Sequence, residues 1–257
     1  MKPINLTTLF TTPLNNAALI QQTGFKGSGI TTFRPGEIER SQDNFVSNPL
    51  YTNFEDAKSI EKAAKSNERI MQLLKENGIK LEVNTEELAA LKKGHLSDAR
   101  IIAAKIYSNL DESLKQNVNM KDIQQAAMLH DYGKVLIPKK ILNKAGSLNP
   151  EENKIMQLHS ELGYELLKQQ GVNHNVLNLI KYHHQKPDGN GYPAINNDFE
   201  YDINAQILHA ADMYSALTEN RCYHEACTKE EALDVMEKQI EAGAISQEVF
   251  EALKKSV

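Results

Sequence analysis

The sequence predicts an all-α fold, an irregular helical bundle that follows an irregular N-terminal extension. Two observations predict it. From about residue 53, apolar residues recur at helical spacing between helix-start and helix-stop residues. Almost no segment alternates apolar and polar residues for long enough to suggest a strand. Helices of this kind pack ridges into grooves around a shared core.

Composition limits the classes of protein that fit. The chain has 257 residues, a formal net charge of -5 and 40% hydrophobic residues, which suits one large domain or one domain with an extension. The negative charge argues against general binding of a large nucleic acid or of an anionic membrane. No apolar run approaches the length of a membrane span, and residues 1–13 lack the pattern of a secretory signal. Cys222 and Cys227 do not form a CxxC pair, so we expect reduced thiols and a cytoplasmic protein.

The chain divides into three predicted parts. Residues 1–52 are rich in Thr, Asn, Gln, Ser and Gly and show no sustained period, which predicts an irregular or flexible segment. The glycines at 24–29 are not followed by a GKS or GKT sequence, so a phosphate loop is not indicated. Residues 53–84 are predicted to form a helix that packs on the body and ends at 77–78. Residues 85–257 form the main domain.

The main domain begins with a helix that starts at Asn84. Glu87 lies three residues further on, in the arrangement of a capping box. The next helix is predicted from about residue 97 to residue 110, with an inward face of Ile101, Ile102, Ala104, Ile106 and Leu110. Later helices are predicted from Asn119 to the His130–Asp131 pair, from Pro138 to Leu142, from Asn149 to about Gln170, from Asn175 to His184 and from Ile203 to Asn220, with starts at Thr228 and Ser246 for the last two.

The stretch from His130 to Lys134 carries the first candidate chemistry. The adjacent His130 and Asp131 offer a nitrogen ligand and a carboxylate that can bridge two metal ions. Lys134 is a cation within reach of an anion held there, and Gly133 is interpreted as a helix stop. One His-Asp dipeptide is a weak signal, but other helix-like segments supply further His and Asp residues. The candidate metal ligands are His95, His130, Asp131, His159, His183, His184 and Asp212.

Each candidate ligand also has an ordinary structural explanation. A single His on an apolar helix face, such as His159, is more often a core residue, and an isolated Asp is more often a cap. Asp212 lies in a strongly apolar helix, where a carboxylate is costly unless it is paired or binds a metal. His209, three residues earlier, is either its partner or a packing residue. As a set, imidazoles and carboxylates without thiolates suit Fe, Mn or Zn, and two ions bridged by Asp131 could generate hydroxide and clamp a phosphate.

From about Leu88 onward the sequence resembles the HD-GYP family, a branch of the HD metal-dependent phosphohydrolases. The matching motifs are His130-Asp131-x-Gly133-Lys134, Ile137-Pro138 through Glu151-Glu152, His159-x-x-x-Gly163, His183-His184-x-x-x-Asp188-Gly189-x-Gly191-Tyr192-Pro193, and Ala211-Asp212-x-Tyr214-x-Ala216-Leu217-Thr218 with Arg221-x-Tyr223. The resemblance implies a helical domain of HD type over residues 85–257. It also implies two or three divalent metal ions, often Fe or Mn, with Zn possible, and hydrolysis of the bacterial second messenger cyclic di-GMP to pGpG or GMP.

The resemblance also implies residue roles. It assigns the seven candidate ligands to the metals, with Asp131 as the bridge. It gives catalytic roles to Asp131 and Lys134, with Lys134 contacting a phosphate and with Tyr192 and Arg221 holding the nucleotide. A loop is expected to shape the mouth of the site through Asp188, Gly189, Gly191 and Pro193.

Five positions depart from the family pattern. Gln185 and Lys186 replace a Glu and an Arg, Ser215 replaces a second Asp, and His224 replaces a basic residue. Leu91 stands where members with three metals have a Glu, which favours two metals. The changes at Ser215 and His224 weaken the case for cyclic di-GMP specifically. Two alternatives therefore stay open: a phosphohydrolase for another nucleotide or phosphoester, and a non-catalytic nucleotide-sensing module. A signalling partner protein and a homodimer are open as well.

Overall fold

The computed structural model of the chain describes residues 56–92, 97–196, 199–219 and 226–257. The predictions made for residues 1–52, for His95 and for Arg221 lie outside these ranges. All regular structure within them is helical, which confirms the all-α prediction. Among the described residues, no helix is both long enough and apolar enough to span a bilayer.

Twelve α-helices and one 3-10 helix make up the described part of the chain. Their bounds are α1 Ala57–Ser66, α2 Glu68–Glu76, α3 Thr85–Lys92, α4 Ser97–Asn109, α5 Glu112–Lys115, α6 Met120–Leu129, the 3-10 helix Tyr132–Leu136, α7 Lys139–Leu142, α8 Pro150–Lys168, α9 His174–Tyr182, α10 Ile203–Thr218, α11 Lys229–Glu241 and α12 Gln247–Ser256. The predicted helices after residue 84 all occur, whereas α5 and the 3-10 helix were not predicted.

The first predicted helix is in fact two. Asn67 adopts an extended backbone conformation (φ -101°, ψ 107°) between α1 and α2, and its side-chain oxygen accepts a hydrogen bond from Ile70 N at 3.1 Å. A capping side chain thus starts a new helix inside a continuous apolar stripe. The side-chain amide of Asn67 also donates to Glu165 O of α8 at 3.3 Å, so the break lies where α1 and α2 meet the body.

Two local predictions for α3 and α4 were wrong in detail. Asn84 Oδ1 does accept from Glu87 N at 3.2 Å, but Asn84 N donates to Val135 O at 2.7 Å, so the reciprocal half of the capping box is absent. On α4 the buried face consists of Ala99, Ala103, Ile106 and Leu110, while Ile101 is 40% exposed. The side of α4 that packs against the core therefore differs from the side that its apolar residues predicted.

The hydrophobic core consists of two clusters. The N-terminal core is built from α1, α2, α3, the 3-10 helix, α7 and α8, and the C-terminal core from α4, α6, α9, α10, α11 and α12. Helix α8 joins them, because Leu166 belongs to the first cluster and Leu167 to the second. The His130–Asp131 pair follows α6 and precedes the 3-10 helix, and therefore lies at the junction of the two cores.

Gly133 has a packing role rather than the predicted helix-stop role. A Cβ atom at Gly133 would lie 1.9 Å from His159 O and 2.5 Å from Gly163 N. Gly133 is also not among the glycines with positive φ, the conformation that a helix-stop glycine usually adopts. The two glycines let the backbone of the 3-10 helix touch α8, and this contact places Asp131 beside His159.

Candidate metal centre

The structure gathers six of the seven predicted ligands from four different helical segments. They come from the end of α6, the middle of α8, the end of α9 and the middle of α10. The six are His130, Asp131, His159, His183, His184 and Asp212. The four segments are far apart in sequence, so only the packing of α6, α8, α9 and α10 brings these six residues together. The seventh, His95, lies outside the described residues.

The donor atoms form two groups that share one residue. The mixed group is His130, His183 and Asp212, and the imidazole group is His159, His183 and His184. Within each group the ligand atoms lie within 4.8 Å of one another. Asp131 stands between them, with Oδ2 3.4 Å from His130 Nε2 and Oδ1 3.5 Å from His159 Nε2.

Backbone carbonyl groups orient three of the imidazoles. The Nδ1–H groups of His130, His159 and His183 donate to the carbonyl three residues earlier, at 2.9, 2.7 and 2.7 Å. Each ring therefore directs Nε2 toward the centre, as metal-binding histidines do when their other nitrogen is held by a hydrogen bond. His209 Nδ1 lies 3.0 Å from the carbonyl oxygen of His183, so this residue supports the backbone of a ligand rather than joining the donor set.

The donor set fits a divalent cation. His159 Nε2 and His183 Nε2 are 3.2 Å apart, although each ring already carries its proton on Nδ1. Two facing lone pairs at that separation repel each other unless they share a proton or a cation. Imidazole and carboxylate donors without thiolate suit Fe, Mn or Zn. The described residues therefore include two groups that could each hold a metal ion.

The imidazole group is held in its neutral, ligating form. Burial lowers the pKa of His159 to about 4. Burial, followed by the neighbouring imidazoles, places the pKa values of His183 and His184 well below the ordinary value for histidine. These rings are therefore unprotonated near neutral pH, which is the state that binds a metal.

The mixed group behaves in the opposite way. Burial by itself would lower the pKa of His130, but the carboxylates of Asp131 and Asp212 together raise it to about 10. Burial would raise the pKa of both carboxyl groups. His130 nevertheless brings the pKa of Asp212 down to about 2, and Lys134 with His130 holds that of Asp131 well below its usual value. The mixed group therefore presents ionised carboxylates that a cation can neutralise.

Lys134 lies behind the central carboxylate. Its side chain is buried, and Nζ is 2.7 Å from Asp131 Oδ2. The sequence predicted that this cation lies near the metals, and in the structure it contacts Asp131. Glu87, which sequence reasoning assigned only to a cap, is 3% exposed, and burial raises its pKa to about 7, with opposing effects of Lys134 and Asp131. The sequence does contain a signal for this buried acid, because Glu87 lies one helical turn before Leu91 on the inward face of α3.

Tyr192 closes one side of the imidazole group. Its ring lies against His184, with ring centroids 4.6 Å apart and an interplanar angle of 31°. Its backbone N–H donates to His184 O at 3.2 Å. Its hydroxyl is buried without a hydrogen-bond partner among the described residues. Burial, then Asp212 and Asp131, holds the pKa of this hydroxyl well above its usual value, so it stays protonated and faces the two carboxylates.

The predicted loop before Pro193 is tightly organised. Asp188 Oδ1 accepts from Asn190 N at 3.0 Å, and Gly189 has the positive φ (75°) that favours glycine. A Cβ atom at Gly191 would lie 2.3 Å from His184 O. The Tyr192–Pro193 peptide bond is cis. The turn at Asp188 and the close approach of Gly191 to His184 hold the loop near the candidate ligands, with the Tyr192 ring against His184.

The chain is similar in sequence to an HD-domain family and to proteins named as cyclic dinucleotide phosphodiesterases. A sequence profile of the family described as HD domain matches residues 60–245. The chain is 34% identical over 135 residues to a 3'3'-cGAMP-specific phosphodiesterase 3 of Vibrio cholerae, which covers 52% of this chain and 29% of that protein. It is 36% identical over 149 residues to a cyclic di-GMP phosphodiesterase of Thermotoga maritima, which covers 56% of this chain and 40% of that protein.

One solved structure shares the fold. It is Bd1817, an HDG"Y"P protein from Bdellovibrio bacteriovorus, with a TM-score of 0.50, 17% identity, and coverage of 86% of this chain and 69% of that chain. At this identity the likeness concerns the fold alone. The chain spans less than half the length of each of the two phosphodiesterases, 29% and 40%.

Proposed function

The chain belongs to the HD-domain family, and we propose that it is a metal-dependent phosphodiesterase that hydrolyses a cyclic dinucleotide, with cyclic di-GMP as the first candidate. The family membership confirms the resemblance seen in the sequence. The fold carries that family's characteristic residues on four helical segments that meet at the junction of the two cores. The names of the two relatives support a cyclic dinucleotide that contains guanine.

The observation that carries the proposal is the pair of donor groups that share His183, with one Asp131 oxygen directed at each group. This arrangement supports a site for two divalent ions, which Asp131 would bridge, and the family resemblance favours Fe or Mn over Zn. When bound, such ions polarise a phosphate and make water a stronger nucleophile near neutral pH. His95 completes the proposed ligand set on the basis of the family resemblance.

The remaining residues bind and orient the substrate. Lys134 neutralises charge on a non-bridging phosphate oxygen, which requires that its ammonium turn from Asp131 as that carboxylate engages the ions. The buried hydroxyl of Tyr192 donates a hydrogen bond to a substrate oxygen, since it finds no partner within the described part of the protein. Arg221 holds the nucleotide, and the loop of Asp188, Gly189, Gly191 and Pro193 limits access to the mouth.

Residues 85–257 form the proposed phosphohydrolase domain, with residues 53–84 packed on it. The contribution of α1 and α2 to the N-terminal core supports this packing. The cytoplasmic location expected from the sequence stays a prediction, and a homodimer and a signalling partner stay open.

The proposal is tested by purifying the protein without oxygen, loading it with Fe or Mn, and offering it a substrate panel. The panel contains cyclic di-GMP, 3'3'-cGAMP, a linear dinucleotide, a nucleoside monophosphate and a generic aryl phosphodiester. We expect a linear or mononucleotide product from a cyclic dinucleotide, at a rate that depends on added metal. Metal analysis of the same sample should give about two ions per chain.

Two results would favour the alternatives instead. Turnover of another phosphoester, with no cleavage of either cyclic dinucleotide, would assign a different phosphohydrolase. Tight binding of a cyclic dinucleotide by metal-loaded protein without any product would assign a nucleotide-sensing module.

A further inference from the structure

Gln185 follows the two ligating histidines of α9 and is completely buried. Its side chain makes three hydrogen bonds to the loop that carries Tyr192. Nε2 donates to Pro193 O at 2.8 Å, while Oε1 accepts from Gly191 N at 2.7 Å and from Lys186 N at 2.9 Å. One amide therefore binds the residue before Tyr192 and the residue after it.

The amide satisfies all three hydrogen bonds in its ordinary state, whereas the Glu of the family pattern would need a protonated carboxyl group to donate to Pro193 O. A carboxylate in the same place could accept from the two N–H groups, but its second oxygen would then face the Pro193 carbonyl oxygen at hydrogen-bonding distance, with no proton between them. An apolar side chain of equal size would leave all three backbone groups without this partner in a buried place. The mixed donor and acceptor demand of the loop explains why Gln suits this position.

The loop backbone lies too close to Gln185 for another group to fit between them. A Cβ atom at Gly191 would lie 2.4 Å from Gln185 Cα and 2.6 Å from Gln185 Oε1. The backbone therefore passes directly over the amide. The other fixed point of the loop is the hydrogen bond from Tyr192 N to His184 O at 3.2 Å.

We infer that Gln185 is a positioning residue, whose amide holds Tyr192 against His184 with the tyrosine hydroxyl directed into the candidate metal centre. Its catalytic consequence rests on the proposed function, in which Tyr192 binds the substrate. Gln185 itself touches no reacting atom. It acts through the loop, so its loss weakens substrate binding before it affects metal content.

The structural half of the inference is tested by hydrogen exchange of the metal-loaded protein, with peptides that span residues 185–193. In the wild-type protein the amides of Lys186 and Gly191 should be protected. Gln185→Met should exchange at these amides roughly tenfold faster or more, because both buried backbone donors lose their acceptor. Gln169→Met makes the same chemical change on an exposed helix end and should leave them unchanged.

The functional half is tested by steady-state kinetics with the cyclic dinucleotide that the wild-type protein cleaves. Gln185→Met should raise KM roughly tenfold with a smaller change in kcat, and metal content should stay at the wild-type value. Tyr192→Phe should raise KM as well. If Gln185 acts through the tyrosine hydroxyl, the double variant should be no worse than the more impaired single variant.

A second variant covers the case in which Gln185→Met does not fold. Gln185→Glu keeps an acceptor for both N–H groups and loses only the donor to Pro193 O, so it should leave those amides protected and still raise KM. Wild-type amides of Lys186 and Gly191 that exchange at the unprotected rate would overturn the inference, and so would KM effects that multiply in the double variant. An absence of turnover in the wild-type protein would reject the proposed function, while hydrogen exchange would still decide whether the amide holds the loop.

Discussion

The mixed group and the imidazole group share His183 and lie side by side, yet the same type of side chain has opposite proton affinities in them. The pKa of His130 is raised to about 10, whereas that of His159 is lowered to about 4. Both rings are buried, so burial does not distinguish them. The difference comes from the carboxylates: Asp131 and Asp212 both contact His130, while His159 meets only one oxygen of Asp131.

This contrast indicates how each group receives a metal. In the imidazole group the rings are neutral over the physiological range and Nε2 of His159 and His183 carries no proton, so a metal would have no proton to displace there. In the mixed group a metal would replace the charge of a protonated His130, because both neutralise the same two carboxylates. Four predictions test this difference, in order of decreasing effect.

The largest effect is expected from Asp131, which serves both groups at once. Asp131→Ala should lower metal content to below one ion per chain and lower turnover of the cyclic dinucleotide at least ~100-fold, because the bridge and a charge that balances the ions are both lost. Metal analysis and the hydrolysis assay measure this. Asp234→Ala changes an exposed carboxylate on α11 and serves as the control. A variant that kept both ions and its activity would rule out the bridge.

The second prediction compares His130 with His159 in chelator-treated protein at pH 7. His130→Asn should lower the free energy of unfolding by roughly 3 kcal/mol, because it leaves the buried Asp212 carboxylate without its cation and Asp131 with Lys134 alone. His159→Asn should cost less, since it removes a neutral ring. Urea denaturation followed by circular dichroism gives both values. Equal losses would show that the electrostatic difference between the groups does not contribute to stability.

The third prediction concerns pH. The raised pKa of His130 contributes stability that is present below pH 6.5 and is lost as the pH rises toward about 10. His159 has the opposite sign: protonation in the unfolded state reduces stability as the pH falls from 6.5 to about 4. Each contribution is on the order of 3 kcal/mol.

The corresponding variants separate these two slopes. In chelator-treated protein, His130→Asn should flatten the dependence of stability on pH above 6.5, and His159→Asn should flatten it below that value. Unfolding measured at pH 5, 6.5 and 9 tests this. The assignment fails if each variant alters the opposite limb.

The smallest effect is expected at Glu87, a buried carboxyl group whose pKa is influenced by Lys134 and Asp131. Its folded-state pKa is raised from 4.5 to about 7, so its ionisation reduces stability as the pH rises through that interval. Glu87→Gln should therefore stabilise the protein by about 1–2 kcal/mol at pH 8 and have little effect at pH 4.5. Thermal unfolding at the two pH values is the measurement. Glu86→Gln, next to it and exposed, is the matched control, and an equal gain there would contradict the explanation.

Local signals in the sequence were sufficient for most helix boundaries. Helix α8 starts at the predicted cap Asn149, where Glu152 completes a capping box, and the positive φ of Gly171 follows its end. Such signals depend on hydrogen bonds within a few residues, so a short window of sequence contains them. The family motif likewise named the candidate ligands, six of which the structure gathers, because the residue types and their order are visible in the chain.

Other features depended on contacts between segments far apart in sequence. The break at Asn67, the exposed face at Ile101 and the contact between Gly133 and α8 all arise from packing partners that a local pattern does not contain. The buried acid Glu87 and the amide of Gln185 gained their roles in the same way. The chain alone therefore determined which side chains could ligate and where helices begin. Tertiary packing decided which nitrogens lose their protons and what holds Tyr192 in place, because pKa values and hydrogen-bond partners depend on distances across the fold.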